Sequence, residues 1–264
     1  PVRINHCVPG AEFGWRSGTA KWPDYYFDSL PGTVDIGRGS PTGVIFYEHK
    51  QFPEKYRGSF LVCDWSMGRI MAVFLTPEGA SYTGTFENLV TGNPLNVSDI
   101  EVDRDGSVLY TTGGRGTEGG VYRLSYTEGD RSIPALETVE DVVNAPQGQS
   151  NWVREAAEKL IAGDAKTWGS QLESLAVKGS ETQRIRALSL LSLYGPKPSF
   201  SLLSDVVSKD KSEKVRAFGV WLLGDHATPE CRQVLSEALK DKSVVVRRRA
   251  CEAFVRSGLE APVN

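Results

Sequence analysis

The second half of the chain contains a short sequence pattern that recurs at a nearly constant spacing. An aliphatic residue, then Arg, then Ala within a few residues, occurs four times, with the aliphatic residue at Val153, Ile185, Val215 and Val246. The successive separations are 32, 30 and 31 residues. Such a period indicates stacked helix pairs, because each repeat buries its apolar face only against its neighbours. The second half is therefore predicted to be an α-solenoid.

This pattern resembles HEAT-like repeats in their short form, over roughly residues 150–258. Further helices are expected between the repeated ones, at residues 168–177, 198–207 and 229–239. The resemblance implies that each arginine pairs with an acidic residue at the preceding turn, Asp210 for Arg216 and Asp241 for Arg247. These arginines are therefore expected to serve structure rather than ligand binding.

The first part of the chain, residues 1–126, has a different composition. It holds 18 of the 27 Gly and 18 of the 25 aromatic residues. Short apolar runs separated by turn residues are typical of β-strands. Strands are expected at residues 43–47, 58–64, 69–75, 98–102, 107–112 and 120–126, with a tight turn at 103–106. Since no helical pattern separates the runs, an antiparallel sandwich or propeller is favoured over βαβ units.

These two parts, 1–126 and 151–264, are joined by a polar, Pro-containing segment at 127–150, which we interpret as a linker. The fold class is mixed β and α. The net charge is 30 − 33 = −3, which argues against a nucleic-acid partner. No run approaches the roughly 18 apolar residues of a membrane span. The sequence begins at Pro1 without a signal peptide, and we expect it to be a piece of a longer protein.

Four stretches of the first part carry a second resemblance. They are PGAEFGWRSG at 9–18, DIGRGSPTGVIF at 35–46, FPEKYRGSFLVCDWSMGRIMAV at 52–73 and DIEVDRDGSVLYTTGGRGTEGGVYRL at 99–124. Together they resemble the late blades of glucose/sorbosone dehydrogenase propellers. More narrowly, they resemble the propeller of the "membrane-bound dehydrogenase" proteins of planctomycete-type bacteria, which precedes HEAT-like repeats. The resemblance implies the last one and a half to two blades of a six-bladed β-propeller.

The resemblance also implies a function and a location. The parent protein is expected to be a periplasmic or cell-envelope oxidoreductase that oxidises a sugar or alcohol with pyrroloquinoline quinone, often with a c-type haem domain at its end. The family's catalytic His lies in an early blade, so no catalytic residue is expected in this chain. The chain would supply the pocket rim and a docking solenoid for a protein. Alternatively, the protein is a non-catalytic scaffold that binds carbohydrate and protein.

Cofactor residues implied by the family can be checked by position. An anionic quinone is held by Lys and Arg side chains. Ser66 stands at the family's Lys position, and Asn96 and Ser98 stand at its two Arg positions. Arg69 and Arg115 are the nearest cations, and they are our candidate cofactor-binding residues. No metal site is predicted.

Two short segments are candidates for contact with a sugar. Trp15 and Arg16 combine an aromatic face with a charged donor, which suits stacking on a sugar and hydrogen bonding to it. Alternatively, they pack a long loop between blades. Ser40 and Thr42 lie in a Gly-Ser-Pro-Thr-Gly loop that is expected to open a blade, where their hydroxyls would line a pocket.

Overall fold

The chain folds as a β unit followed by an α unit, described for residues 2–13 and 30–262 by a computed structural model. The first unit spans Pro1–Pro134 and the second spans Ala135–Asn264. The mixed β and α class predicted from the sequence is confirmed. Within the described residues, no helix has both the length and the apolar character needed to cross a membrane.

Nine strands are described in the β unit, and neighbouring strands within each sheet run antiparallel. They are β1 (Val2–Ile4), β2 (Val34–Gly37), β3 (Pro41–Tyr47), β4 (Ser59–Asp64), β5 (Arg69–Glu78), β6 (Ser81–Thr91), β7 (Val97–Val102), β8 (Val108–Gly114) and β9 (Thr117–Leu124). Their orders are β1-β2, β3-β4-β5-β6 and β7-β8-β9. The tight turn predicted at 103–106 is confirmed, with Gly106 at φ 80° and its amide donating to Asp103 O over 2.9 Å.

The two central strands of the four-stranded sheet, β4 and β5, are covered on both faces. Successive side chains of a strand point to opposite faces. On β4, Leu61 and Cys63 pack with residues of β7 and β8, whereas Val62 packs with residues of β2. All three side chains are fully buried. The three sheets are therefore stacked face to face, with the four-stranded sheet in the middle.

Strands β1, β2 and β6 were not predicted from the sequence. β6 carries polar side chains at most positions and lies at the edge of its sheet, where one face remains exposed. Its pairing with β5, from Arg69 opposite Thr91 to Glu78 opposite Ser81, rather than an apolar pattern, makes it a strand. Edge strands of this kind give little hydrophobic signal.

Eight helices are described in the α unit. They are α1 (Val139–Asn144), α2 (Asn151–Gly163), α3 (Ala165–Lys178), α4 (Glu181–Leu193), α5 (Phe200–Lys209), α6 (Glu213–Leu223), α7 (Pro229–Ala238) and α8 (Val244–Ser257). α1 lies inside the segment 127–150 that was interpreted as a linker. Thr138 and Asp141 form a capping box at its start, and Val139 and Val143 pack into the helical core.

Serine residues set the phase of the repeats. The residues before α2, α4, α6 and α8 are Ser150, Ser180, Ser212 and Ser243. Four positions after each serine stands an arginine, which places Arg154, Arg184, Arg216 and Arg247 in equivalent positions. The sequence alignment through Ile185 was therefore two residues out of phase in the second repeat. Gln183 takes the aliphatic position there because it completes a capping box with Ser180.

Arg186, which the sequence pattern placed in the series, has a different role. Its guanidinium donates to the carbonyl oxygen of Val143 over 2.9 Å and to that of Ala145, at the end of α1. Since the last carbonyls of a helix have no partner within the helix, Arg186 satisfies groups that would otherwise be unpaired. It therefore holds α1 against α4.

The expected pairing of each arginine with the acidic side chain of its own turn is wrong. Arg216 does donate to the preceding turn, but to the carbonyl oxygens of Asp210 and Lys211, over 3.1 and 3.2 Å. Its Nε and Nη2 atoms instead donate to the carboxylate of Asp241 in the following repeat, over 2.8 and 2.9 Å. Arg184 pairs in the same way with Asp210, over 2.9 Å.

This geometry explains why the pairing runs forward along the solenoid. The amide of Ser212 donates to Asp210 Oδ1, and the amide of Ser243 donates to Asp241 Oδ1, each over 2.8 Å. These bonds turn each aspartate toward the arginine of the repeat before it. The hydrogen bond from Arg216 lowers the pKa of Asp241, and the same bond raises the pKa of Arg216.

Candidate functional site

Several loops of the β unit meet at one edge of the sheets. The antiparallel register places Asp64 opposite both Pro41 and Arg69, and places Gly114 opposite Thr117. Thr42 Oγ1 donates to Val97 O over 2.8 Å, which joins β3 to the start of β7. We call this region the loop edge, comprising residues 38–42, 64–69, 92–97 and 113–117. It contains the described candidate residues Ser40, Thr42, Arg69 and Arg115.

Arg69 is bound to a buried carboxylate. Asp64 is fully buried, and its Oδ2 accepts from Arg69 Nε over 3.1 Å. Asp64 Oδ1 accepts from the amide of Ser40 over 2.8 Å. Arg69 Nη2 also donates to the carbonyl oxygen of Ile36 over 2.9 Å. The guanidinium charge is therefore neutralised inside the protein, and its donors are directed at protein acceptors.

A glycine makes room for this ion pair. A Cβ atom on Gly39 would lie 2.2 Å from Asp64 Oδ2. No side chain fits at that distance, so the Gly-Ser-Pro-Thr-Gly loop closes over the carboxylate only because residue 39 is glycine. The Gly-Ser-Pro-Thr-Gly loop, which was predicted to line a pocket, thus covers the Asp64 side chain. Thr42 has a structural hydrogen bond, while the side chain of Ser40 is exposed.

Trp65 organises the other side of the loop edge. Its Nε1 donates to Gly113 O over 2.6 Å, and its backbone carbonyl accepts from Asn96 Nδ2 over 3.0 Å. The Arg115 guanidinium lies 5.5 Å from the centroid of the Trp65 ring, within the range of a cation–π contact. Arg115 has φ 51°, a left-handed conformation that glycine usually adopts. Two glycines, 114 and 116, flank it.

Two cations at the loop edge have no carboxylate partner in the described part of the chain. Arg115 is one of them. Arg38 is the other, and sequence reasoning missed it, although it precedes the Gly-Ser-Pro-Thr-Gly loop directly. Both residues are exposed. Trp65 was also missed, because a single Trp after a strand carries no motif.

The residues at the family's cofactor positions do not fit an anionic quinone. Ser66 and Asn96 are neutral, and each hydrogen-bonds within the protein, to Asp64 and to Trp65. Ser98, at the third family position, hydrogen-bonds to Thr111 over 2.9 Å. The charge of Arg69 is already neutralised. A tricarboxylate needs converging cations that are free to bind it. The three family positions and Arg69 supply none, and the exposed Arg38 and Arg115 stand at none of the family positions. We therefore derive no redox step from this site.

Two candidate residues for contact with a sugar remain. Trp15 and Arg16 lie outside the described residues.

A histidine is buried away from the loop edge. At the opposite end of β3, His49 is only 3% exposed, and its Nδ1 accepts from the amide of Gln51 over 3.2 Å. Its Nε2 is buried without a hydrogen bond in the described structure. Burial lowers the pKa of His49, against the opposing effect of Asp105 and Asp130.

Among residues 2–13 and 30–262, no group of three or more His, Cys, Asp or Glu side chains is arranged to hold an ion.

Comparisons with known proteins identify part of the α unit. A family model described as HEAT repeats matches residues 200–263, from α5 to beyond α8. No curated protein sequence matches the chain. The described part is therefore a mixed β and α protein whose C-terminal region matches the model of HEAT repeats.

Among solved structures, the chain is similar to one described as the crystal structure of glucose dehydrogenase. The identity is 20%, the TM-score is 0.32, and the match covers 45% of this chain and 34% of that chain. The chain thus spans about a third of that structure. A likeness at this level carries no argument about activity.

Proposed function

We propose that this chain is the binding and scaffolding part of a sugar-dehydrogenase-like propeller–solenoid protein. In this proposal the loop edge contacts a sugar or alcohol, and the α unit docks a protein. The observation that carries the proposal is the ion pair between Asp64 and Arg69. Asp64 neutralises the positive charge of Arg69 that a quinone site would use, which favours a binding role over a redox role. The protein would act in the periplasm or cell envelope, as the family resemblance suggests.

The arrangement of the sheets supports the propeller part of the proposal. Propeller blades are antiparallel sheets that stack face to face. The four-stranded and three-stranded sheets stack in this way, and their first strands, β3 and β7, are neighbours. We take these sheets as late blades of a six-bladed propeller. The loop edge would then belong to the face where the central opening lies.

The chemistry of the loop edge supports contact with a polyol. Trp65 is half-buried, and the exposed hydroxyl-bearing residues Ser40 and Ser66 stand beside it in the fold. Arg38 and Arg115 add donors that are not bound to carboxylates in the described part of the chain. An aromatic ring surrounded by hydrogen-bonding groups suits a sugar, which has apolar ring faces and many hydroxyls.

Calorimetric titration of the full chain with D-glucose and with sorbitol tests this proposal. We expect saturable binding that becomes about tenfold weaker in the Arg115→Ala variant, because one charge-assisted hydrogen bond is lost. The matched control is Arg104→Ala, since Arg104 is also exposed but lies in the turn at the opposite end of β7. Absence of saturable binding, or equal losses in both variants, would reject the polyol site.

A second candidate function is the rim of an oxidoreductase that passes electrons to a c-type haem domain. Arg38 and Arg115 favour this candidate, because both are exposed cations and an anionic quinone needs such cations. In the proposed arrangement they flank the loops that face the central opening. Binding of pyrroloquinoline quinone by the chain would support this candidate over the scaffold.

A further inference from the structure

The loop edge is a positively charged region on an acidic part of the chain. Its four segments hold three Arg and one Asp, which gives a charge of 3 − 1 = +2. The rest of residues 1–126 holds 8 basic and 13 acidic residues, which gives 8 − 13 = −5. Since Asp64 neutralises Arg69, the excess positive charge belongs to Arg38 and Arg115. A local excess of cations of this kind attracts an anionic ligand.

Arg115 is positioned by a contact that leaves its hydrogen-bond donors available. Its guanidinium lies 5.5 Å from the centroid of the Trp65 ring, and the indole is itself fixed by its hydrogen bond to Gly113 O. A cation–π contact uses the aromatic face and consumes none of the N–H donors of the guanidinium. In the part of the chain that the structure describes, these donors meet no acceptor. Arg115 thus presents a charged donor beside an aromatic ring.

The backbone of Arg115 has a conformation that disfavours any residue except glycine. Its φ is 51°, and the glycines on either side also have positive φ, 97° at Gly114 and 81° at Gly116. Glycine adopts such angles freely, whereas a residue with a Cβ atom is strained there. Local strain of this kind is typical of ligand-binding sites. An arginine where glycine would be more stable therefore indicates a role for the side chain.

Arg38 is the second available cation of the loop edge. Its backbone carbonyl oxygen lies 3.4 Å from Arg69 Nη2, and two residues later Ser40 O accepts from the amide of Trp65 over 2.9 Å. Residue 38 therefore lies at the same end of the sheets as the indole that Arg115 contacts. Its side chain is exposed, and no carboxylate of the described residues pairs with it.

These features define a ligand more narrowly than a neutral polyol. The Trp65 ring suits the apolar face of a sugar, and an exposed guanidinium can form a bidentate pair with a carboxylate or a phosphate. Two arginines can neutralise at most two acidic groups, which is fewer than the three carboxylates of pyrroloquinoline quinone. The ligand that matches the loop edge is therefore a sugar with one or two acidic groups.

We propose that the loop edge binds an acidic sugar, one that carries a carboxylate or a phosphate. The sugar ring packs on Trp65, the acidic group pairs with Arg115, and Arg38 adds to the positive potential. This inference rests on the proposed contact with a polyol and names the class of that ligand. The two fail separately, because neutral sugars can bind without any preference for an acidic group.

Calorimetric titration of the full chain with matched pairs of ligands tests this proposal. D-glucuronate is compared with D-glucuronamide, which has the same ring and no charge, and D-glucose 6-phosphate is compared with D-glucose. In at least one pair we expect the anion to bind about tenfold more tightly at low salt, because a charge-assisted hydrogen bond replaces a weaker one. The pair that shows this preference identifies the acidic group. High salt should reduce the preference, since both arginines are exposed.

Arg115→Gly is the variant that tests the assigned residue, because glycine suits the left-handed backbone and the Tm should not fall. In this variant the affinities for the anion and its neutral counterpart should come within about threefold of each other. Arg104→Ala, an exposed change at the opposite end of β7, should retain the tenfold preference.

The outcomes separate this inference from the polyol site. Equal affinity of the wild-type chain for both members of each pair would overturn the acidic sugar and leave the polyol site standing. A preference that persists in Arg115→Gly, or that is lost to the same extent in Arg104→Ala, would overturn the role of Arg115. Absence of binding by all four ligands would overturn both proposals.

Discussion

Arg216 on α6 donates two hydrogen bonds to the carboxylate of Asp241, the residue that opens the turn before α8. The side chains are 6% and 15% exposed, so the pair is largely removed from water. The same guanidinium also binds two backbone carbonyls of its own turn. One side chain thus ties a turn to the next repeat, and Arg184 repeats this arrangement with Asp210.

Removing this arginine should destabilise the α unit strongly. Arg216→Ala leaves the Asp241 carboxylate in a largely buried position without its cation, which typically costs about 3 kcal/mol of unfolding free energy. Lys209→Ala breaks an exposed pair with Asp205 and should cost less than about 0.5 kcal/mol. Urea denaturation followed by circular dichroism compares them. Similar small losses in both variants would show that the pair does not link the repeats.

Two capping serines provide a matched test of helix starts. Ser212 Oγ accepts from the amide of Val215 and donates to Glu181, whereas Ser243 Oγ is buried without a hydrogen bond in the described structure. Ser212→Ala should therefore lower the unfolding free energy by about 1 kcal/mol. Ser243→Ala should stay within about 0.5 kcal/mol of the wild type. A loss of unfolding free energy in Ser243→Ala that equals or exceeds the loss in Ser212→Ala would contradict this prediction.

The glycine beside the buried carboxylate should not tolerate a side chain. Gly39→Ala places a methyl group in the space of Asp64 Oδ2 and should destabilise the β unit by about 2 kcal/mol. Gly163→Ala is the control, because no atom apart from the neighbouring backbone lies within 4 Å of its added Cβ and alanine is the better helix former. Differential scanning calorimetry should show a lower Tm only for the first variant. A normal Tm for Gly39→Ala would mean that the loop does not close over Asp64.

How far the sequence predicted the structure depends on where each signal lies. The repeat period was visible because every repeat must bury the same apolar face. Its phase was misread at Ile185, since the capping serine, rather than the aliphatic residue, marks the equivalent positions. The forward pairing of Arg216 with Asp241 was not predicted, because it depends on how one repeat stacks on the next.

The candidate site was predicted only in part. Arg69 was singled out as a cation, and its partner was within reach of sequence reasoning. Strands were expected at 58–64 and 69–75, and the four-residue turn between them places Asp64 opposite Arg69. The contact of Trp65 with Arg115 joins loops from two different sheets, so no local pattern indicates it. Trp15 and Arg16 remain predictions.

The buried histidine should make the β unit sensitive to mild acid. Burial lowers the pKa of His49, so below about pH 6.5 the unfolded chain takes up a proton that the folded chain excludes. Stability from this group is complete above pH 6.5 and falls with pH, by at most about 1.4 kcal/mol per unit. His49→Asn retains an acceptor for the Gln51 amide and should remove this slope. Urea midpoints from pH 7.5 to 5.5 measure this change of stability with pH. If the slope is unchanged in His49→Asn, a group other than His49 causes it.

Asp64 neutralises Arg69, and we therefore expect that the loop edge does not hold an anionic quinone. Calorimetric titration of the full chain with pyrroloquinoline quinone tests it most directly, with Arg69→Ala and Arg115→Ala alongside. We predict no saturable binding to the wild-type chain. Saturable binding to the wild-type chain would contradict the claim, and its loss in Arg69→Ala or in Arg115→Ala would show which guanidinium is available to the cofactor.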